Sequence, residues 1–100
     1  MKRKKAFMLK HMLRLNDQGI RKFIRTATEA KIDIICECFL NVVRGNVRVK
    51  IAKIEQYENL FRKLTSRKTA VETRRALLLS RVGFYLTKII GQACLIHLSN

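Results

Sequence analysis

The chain has 100 residues, of which 48% are hydrophobic, and a formal net charge of +15 at pH 7. This apolar fraction, with no proline and only four glycines, excludes a disordered basic tail, because such a tail could not bury enough surface to fold. Three cysteines, an odd number, argue against a secreted disulfide scaffold, and residues 1–15 lack the continuous apolar run of a signal peptide.

Apolar residues recur at helical spacing along nearly the whole chain, and the alternation typical of a strand never persists. The strongly basic residues 1–5 are expected to form a flexible arm. A first helix is predicted over residues 7–15. A short second helix follows, with Arg21, Lys22 and Arg25 on its polar side.

The third predicted helix, residues 28–44, is apolar around most of its circumference, so we expect it to be the centre of the fold. Thr26 or Thr28 can cap its N-terminus, and Gly45-Asn46 is a suitable stop. The polar residues of this helix recur every four positions as one narrow surface stripe: Glu29, Asp33, Glu37 and Asn41.

Further helices are predicted in the second half of the chain. The fourth covers residues 49–64, and Thr69 with Glu72 forms a capping box that starts the fifth. Gly83 is expected to separate the fifth helix from an apolar, amphipathic sixth helix over residues 82–98. The sequence therefore predicts an all-α fold, a single small bundle of five to six helices packed around the third.

The positive charge is concentrated in two blocks of the sequence. Residues 1–27 hold nine Lys and Arg residues and one acid, and residues 44–75 hold ten and three. Seven acids in the chain cannot neutralise 22 bases, so intramolecular pairing cannot account for the charge. A folded scaffold with such an excess is typical of a protein that binds a polyanion.

No motif for reading bases accompanies this charge, since zinc-finger spacing, a basic zipper and an RNA-recognition signature are all missing. We therefore expect sequence-independent binding to nucleic acid, DNA rather than RNA, through phosphate contacts. The predicted contact residues are Lys2, Arg3, Lys4, Lys5, Arg21, Lys22, Arg25, Lys50, Lys53, Arg62, Lys63, Arg67, Lys68, Arg74 and Arg75.

The sequence gives no reason to expect catalysis, a metal or another cofactor. On a helix the side chains of Cys36 and Cys38 diverge by about 200°, so they are poorly placed to share one ion. His11 and His97 have no ligand-like neighbours, and neither a phosphate-binding glycine loop nor a nucleophile motif occurs. We interpret the cysteines as buried thiols and the protein as a non-enzyme.

Two stretches carry a resemblance to a known family. Residues 35–47, ICECFLNVVRGNV, and residues 74–91, RRALLLSRVGFYLTKIIG, resemble the small basic proteins encoded by Polinton (Maverick) elements and adintoviruses. The resemblance covers roughly residues 14–91 and implies a packaging or virion-associated protein, located inside the cell in the nucleus or in the virion. The matching positions are Cys36, Glu37, Cys38, Asn41, Gly45, Asn46, residues 77–79, Gly83 and Phe84.

The last predicted helix leaves alternatives open. It can simply pack in the bundle, or it can lie on an anionic membrane as part of a membrane-active minor capsid protein. In a third hypothesis it docks a capsid protein, and the charge only maintains solubility. The residues assigned to membrane or partner contact are Phe84, Tyr85, Ile89, Ile90 and Leu95.

Overall fold

A computed structural model describes residues 2–99, which form helices and connecting loops without a strand. The predicted all-α class is therefore confirmed, with six α-helices and a 3₁₀ helix. The elements are α1 (Lys2–Leu13), α2 (Asp17–Thr26), α3 (Glu29–Val43), the 3₁₀ helix (Ile54–Tyr57), α4 (Glu58–Thr65), α5 (Val71–Leu79) and α6 (Arg81–Ser99).

Helices α3, α5 and α6 pack against one another at the centre of the bundle. The main contacts of α1 are with α6, α2 and α3, whereas those of α4 are with α3, the 3₁₀ helix and α5. Ile32, Ile35 and Phe39 of α3 are buried, and the Phe39 ring meets Phe61 of α4 edge to face, with centroids 5.3 Å apart. The prediction that this helix organises the core is confirmed.

Both predicted ends of α3 are also confirmed. The Thr28 hydroxyl accepts a hydrogen bond from the amide of Lys31 at 3.3 Å, as an N-cap residue should. At the other end Gly45 adopts φ +76°, a left-handed conformation that glycine takes without steric cost. The amides of Asn46 and Val47 then turn back to donate to the carbonyl of Asn41 at 2.9 and 3.2 Å.

The predicted arm is wrong, because residues 2–5 belong to the first turns of α1. Lys5 fixes this part of the helix to α3, since its ammonium group lies 2.7 and 2.8 Å from the two carboxylate oxygens of Glu37. Met1 lies outside the described residues. The hydrophobic side of α1 consists of Met8, Leu9 and Met12, all buried, so α1 covers the core.

The fourth predicted helix is wrong over its first turns. Residues 49–53 are not helical, and Lys53 adopts φ 54° immediately before the 3₁₀ helix. Val47 is buried, while Val49 and Ile51 are half-buried against the core. These alternating β-branched residues suit an extended segment better than a helix, so tertiary packing decided the conformation.

The start of α5 differs from the prediction as well. Ala70 is the N-cap residue and provides no side-chain hydrogen bond, so Thr69 and Glu72 do not form a capping box. The amide of Thr69 donates to the carbonyl of Ser66 at 3.3 Å, which places Thr69 in the preceding turn. Glu72 instead pairs with Arg75 at 3.1 Å.

Gly83 does not break the chain between α5 and α6. The break lies at Ser80, whose ψ of 159° is extended and whose hydroxyl accepts from the amide of Gly83 at 3.1 Å. Gly83 itself lies in the first turn of α6, buried against the end of α5. A Cβ atom at this position would lie 1.8 Å from the carbonyl oxygen of Leu77, so close packing of the two helices requires glycine.

Candidate nucleic-acid interface

The structure divides the fifteen predicted contact residues by their surroundings. Three arginines are half-buried: Arg21, Arg74 and Arg75. Lys5 and Arg62 form ion pairs with Glu37 and Glu58 at 2.7 and 2.9 Å, and the side chain of Lys2 lies outside the described part. The other nine are exposed and make no side-chain hydrogen bond or ion pair within residues 2–99: Arg3, Lys4, Lys22, Arg25, Lys50, Lys53, Lys63, Arg67 and Lys68.

Arg75 closes the C-terminal end of α2. Its side chain is only 17% exposed, and its Nη1 group donates to the carbonyl oxygens of Ile24 at 2.7 Å, Arg25 at 3.3 Å and Ala27 at 2.8 Å. The last carbonyls of a helix lack intrahelical partners, so this guanidinium supplies donors that α2 cannot supply itself. Arg75 therefore acts inside the fold rather than on its surface.

Arg74 is similarly enclosed between α5 and α3. Its side chain is 12% exposed, Nη1 lies 2.7 Å from Oδ1 of Asp33, and the buried Nε makes no hydrogen bond to the described residues. The neighbouring thiol of Cys36 is also buried, and this burial raises its pKa to about 11, against the opposing charge of Arg74. Cys36 is therefore a neutral thiol at physiological pH.

Arg21 joins α2 to the end of α5 and the start of α6. Its Nη1 group donates to the carbonyl of Leu79 at 3.0 Å, and its guanidinium carbon lies 4.0 Å from the centre of the Phe84 ring. A cation over an aromatic face is stabilised by the ring quadrupole. Like Arg74 and Arg75, Arg21 therefore uses its guanidinium to join helices of the bundle.

Four exposed basic residues beyond those predicted extend two sets, while Lys31 and Arg81 are exposed but belong to neither set. Lys10 and Arg14 extend the charged side of α1, and Arg44 and Arg48 lie between α3 and the 3₁₀ helix. The four-residue spacing of Lys10 and Arg14, on the side away from Met8 and Met12, was a usable signal in the sequence. We call Arg3, Lys4, Lys10, Arg14, Lys22 and Arg25 the α1–α2 set. The loop–α4 set is Arg44, Arg48, Lys50, Lys53, Lys63, Arg67 and Lys68.

No side chain of either set forms an ion pair within residues 2–99, although Glu29 lines a surface pocket together with Arg44 and Arg67. Five of the seven acids are in ion pairs: Asp17 with Lys88, Asp33 with Arg74, Glu37 with Lys5, Glu58 with Arg62 and Glu72 with Arg75. None of these basic partners belongs to either set. Within residues 2–99, the thirteen side chains of the two sets therefore keep their full charge toward solvent.

The apolar residues assigned to membrane or partner contact lie on α6, which packs against α1, α3 and α5. Phe84 and Ile90 are buried, at 5% and 0% exposure, and Ile89 and Leu95 are half-buried, while Tyr85 is exposed. Contact of a bilayer with Phe84 or Ile90 would require α6 to leave the bundle. Within residues 2–99 no helix combines the length and the apolar character needed to span a membrane.

The cysteines are buried, as predicted. Cys38 of α3 and Cys94 of α6 interact through their thiols and line a cavity of about 220 Å³ together with Lys5, Glu37 and His97. Sγ of Cys38 donates to the carbonyl of Ile34 at 3.4 Å, and the interaction with the Cys38 side chain lowers the pKa of Cys94. In the described part of the chain, no three His, Cys, Asp or Glu side chains are grouped so that they could hold a metal ion.

Comparison of the chain with protein-family models, curated proteins and solved structures finds no match. The resemblance of residues 35–47 and 74–91 to the Polinton-encoded family accordingly stays a prediction.

Proposed function

We propose that this protein binds nucleic acid without sequence preference, through phosphate contacts, and packages it as a virion-associated protein of a virus-like mobile element. The supporting observation is that the thirteen side chains of the two sets are exposed and have no ion-pair partner within residues 2–99. Each such cation placed against a phosphate releases a condensed counterion, which favours binding. The assignment to a mobile element rests on the sequence resemblance alone.

The arrangement of the basic residues favours phosphates over bases as the ligand. The charged side chains come from α1, α2, α4 and three connecting segments rather than from one helix that could enter a groove. The three arginines with fixed geometry, Arg21, Arg74 and Arg75, face the interior. Long, unpaired surface side chains can follow any phosphate backbone, so we expect affinity to depend on salt and hardly on sequence.

The decisive measurement is the affinity for a random-sequence DNA duplex between about 50 and 200 mM salt, followed by fluorescence anisotropy. We expect a loss on the order of a thousandfold or more, as six to ten phosphate contacts would give. Weak binding at 50 mM salt, or an affinity insensitive to salt, contradicts the proposal.

A pair of matched variants separates phosphate contacts from net charge. Arg67→Gln with Lys68→Gln removes two unpaired cations, whereas Arg62→Gln with Lys88→Gln removes two that already neutralise Glu58 and Asp17. We expect the plot of log affinity against log salt to become less steep by about 2 for the first variant, since each phosphate contact contributes about 0.9 to the steepness. The second should lower it clearly less, and equal effects would argue for a diffuse charge effect.

A further inference from the structure

Helices α1 and α4, which each carry part of one basic set, lie on different flanks of α3. Leu9 of α1 shares a cavity with Ile34, Cys38 and Asn41, which are spaced by four and three residues on one face of that helix. Phe61 of α4 packs against Phe39 and, with Val42 and Val43, lines a groove on another face. At 3.6 residues per turn, the mean directions of these two faces differ by roughly 130°.

Exposed side chains on these outer helices must therefore point in different directions. The exposed cations of α1, Arg3, Lys4 and Lys10, point away from α6 and α3, on which α1 packs, and Lys63 of α4 points away from α3 and α5. The protein's extents, 30 × 29 × 24 Å, exceed the reach of a lysine or arginine side chain. A single straight duplex lying along α1 would therefore not reach Lys63 of α4 or the 3₁₀ helix that packs beside it.

The number of phosphates leads to the same conclusion. Duplex DNA carries one charge per about 1.7 Å of axis, so a segment matching the protein's 30 Å extent carries about 18 phosphates. Roughly half of these face a protein that lies on one side of the duplex, which is enough for about nine contacts. One duplex can thus satisfy the six cations of the α1–α2 set or the seven of the loop–α4 set, but it does not surround the protein.

We propose that the protein holds two duplex segments at once, one on the α1–α2 set and one on the loop–α4 set, and so bridges them. This inference rests on the proposed nucleic-acid binding and adds a valency of two. When a first duplex neutralises one set, the second set keeps its charge and becomes the binding site for the next segment. A single folded chain of this kind would draw distant parts of one genome together.

The test uses two random-sequence duplexes of about 30 base pairs, one immobilised on beads and one fluorescent, at about 50 mM salt. Capture of the fluorescent duplex reports bridging, and anisotropy with that duplex alone reports binding.

Three variants each lose four positive charges, and far-UV circular dichroism verifies that they keep their helices. The α1–α2 variant carries Lys10→Gln, Arg14→Gln, Lys22→Gln and Arg25→Gln. The loop–α4 variant carries Arg48→Gln, Lys50→Gln, Lys53→Gln and Lys63→Gln. The split control carries Lys10→Gln, Arg14→Gln, Lys50→Gln and Lys53→Gln.

We expect the unaltered protein to capture the second duplex. Each single-set variant should capture at least tenfold less of the fluorescent duplex than the unaltered protein does. Its affinity for a single duplex should stay within about tenfold of the affinity of the split control. The split control should retain most of its capture. Either single-set variant decides the question if the other fails to fold.

Two results would overturn the bridging inference while leaving the proposed function intact. In the first, the unaltered protein binds one duplex but captures no second. In the second, capture survives in the single-set variants, as it would if two copies of the chain associated and each contributed the same set. No binding of any duplex at 50 mM salt would instead overturn the proposed function, and the bridging inference with it.

Discussion

The guanidinium of Arg75 lies where three carbonyl oxygens converge at the end of α2. A planar group with five donors suits such a cluster, and a lysine ammonium group would serve it less well. Lys68 lies seven residues earlier in the same basic block of the sequence, yet its side chain is exposed and unpaired. Basic residues close together in sequence therefore serve packing in one case and surface charge in the other.

We predict that Arg75→Met lowers the free energy of unfolding by about 2–3 kcal/mol, because buried carbonyls lose a charged donor while the apolar stem is kept. Lys68→Met, the matched control, should change stability by less than about 0.5 kcal/mol. Urea titration followed by circular dichroism measures both. Similar effects for the two variants would show that Arg75 does not cap α2.

Sequence alone could not separate these roles. Arg21, Arg74 and Arg75 follow the same helical pattern as neighbouring surface cations, and nothing local marks the carbonyls or the Phe84 ring that they meet. Their hydrogen-bond partners are up to 58 residues away along the chain. Such partners can be identified only once the helices are placed relative to one another. The composition therefore predicted that the protein has a basic surface, but not which basic residues belong to it.

Helices α5 and α6 meet with only Ser80 between them. Ser80 provides the break, with its hydroxyl donating to the carbonyl of Leu77 at 2.6 Å and accepting from the amide of Gly83 at 3.1 Å. The first turn of α6 therefore packs closely against the carbonyl of Leu77 in the last turn of α5. Only a residue without a side chain fits at Gly83, so the angle between the two helices depends on it.

Gly83→Ala is expected to destabilise the fold by about 1–3 kcal/mol or more, since its Cβ would overlap a backbone carbonyl that cannot move cheaply. Gly91→Ala, in the same helix, would place its Cβ 3.6 Å from Cδ2 of Leu13, an ordinary contact. Because alanine is the better helix former, this control should be neutral or stabilising by up to about 1 kcal/mol. Thermal unfolding compares the two, and a stable Gly83→Ala variant would show that the helices can separate there.

Helix existence was predictable, whereas several helix boundaries were not. The apolar periodicity and the local signals at Thr28 and Gly45 identified α3 correctly, because caps act within a few residues. Residues 49–53 have helical spacing too, but residues 49–51 have no regular secondary structure and residues 52–53 form a turn, and Thr69 belongs to a turn rather than to a helix cap. In both cases a tertiary contact or a competing turn outweighed the local preference.

At the scale of the whole molecule, fifteen excess positive charges are confined within a radius of gyration of 12.3 Å. Unfolding would let these charges move apart, so their repulsion favours the unfolded chain. The five ion pairs offset only part of this repulsion, because most of their members are solvent-exposed. The hydrophobic core has to supply the remaining stability.

We therefore predict that added salt stabilises this protein. Screening weakens the repulsion as the Debye length falls from about 10 Å at 0.1 M to 3 Å at 1 M. The urea midpoint should rise between these two sodium chloride concentrations, by an amount on the order of 1 kcal/mol in unfolding free energy. DNA affinity should fall as salt rises, so stability and binding respond with opposite signs. A midpoint that drops with salt would mean that attractive pairs outweigh the excess charge.

The inward placement of Arg21, Arg74 and Arg75 also has a consequence for the evolution of this chain. These side chains make fixed hydrogen bonds in the fold, so substitution by lysine would disrupt packing at those positions. The thirteen side chains of the two sets have no partner whose geometry must be kept. Lysine and arginine can exchange freely there, and a charge lost at one position can be regained at another. Related chains should therefore diverge quickly across their charged surface while conserving these three half-buried arginines.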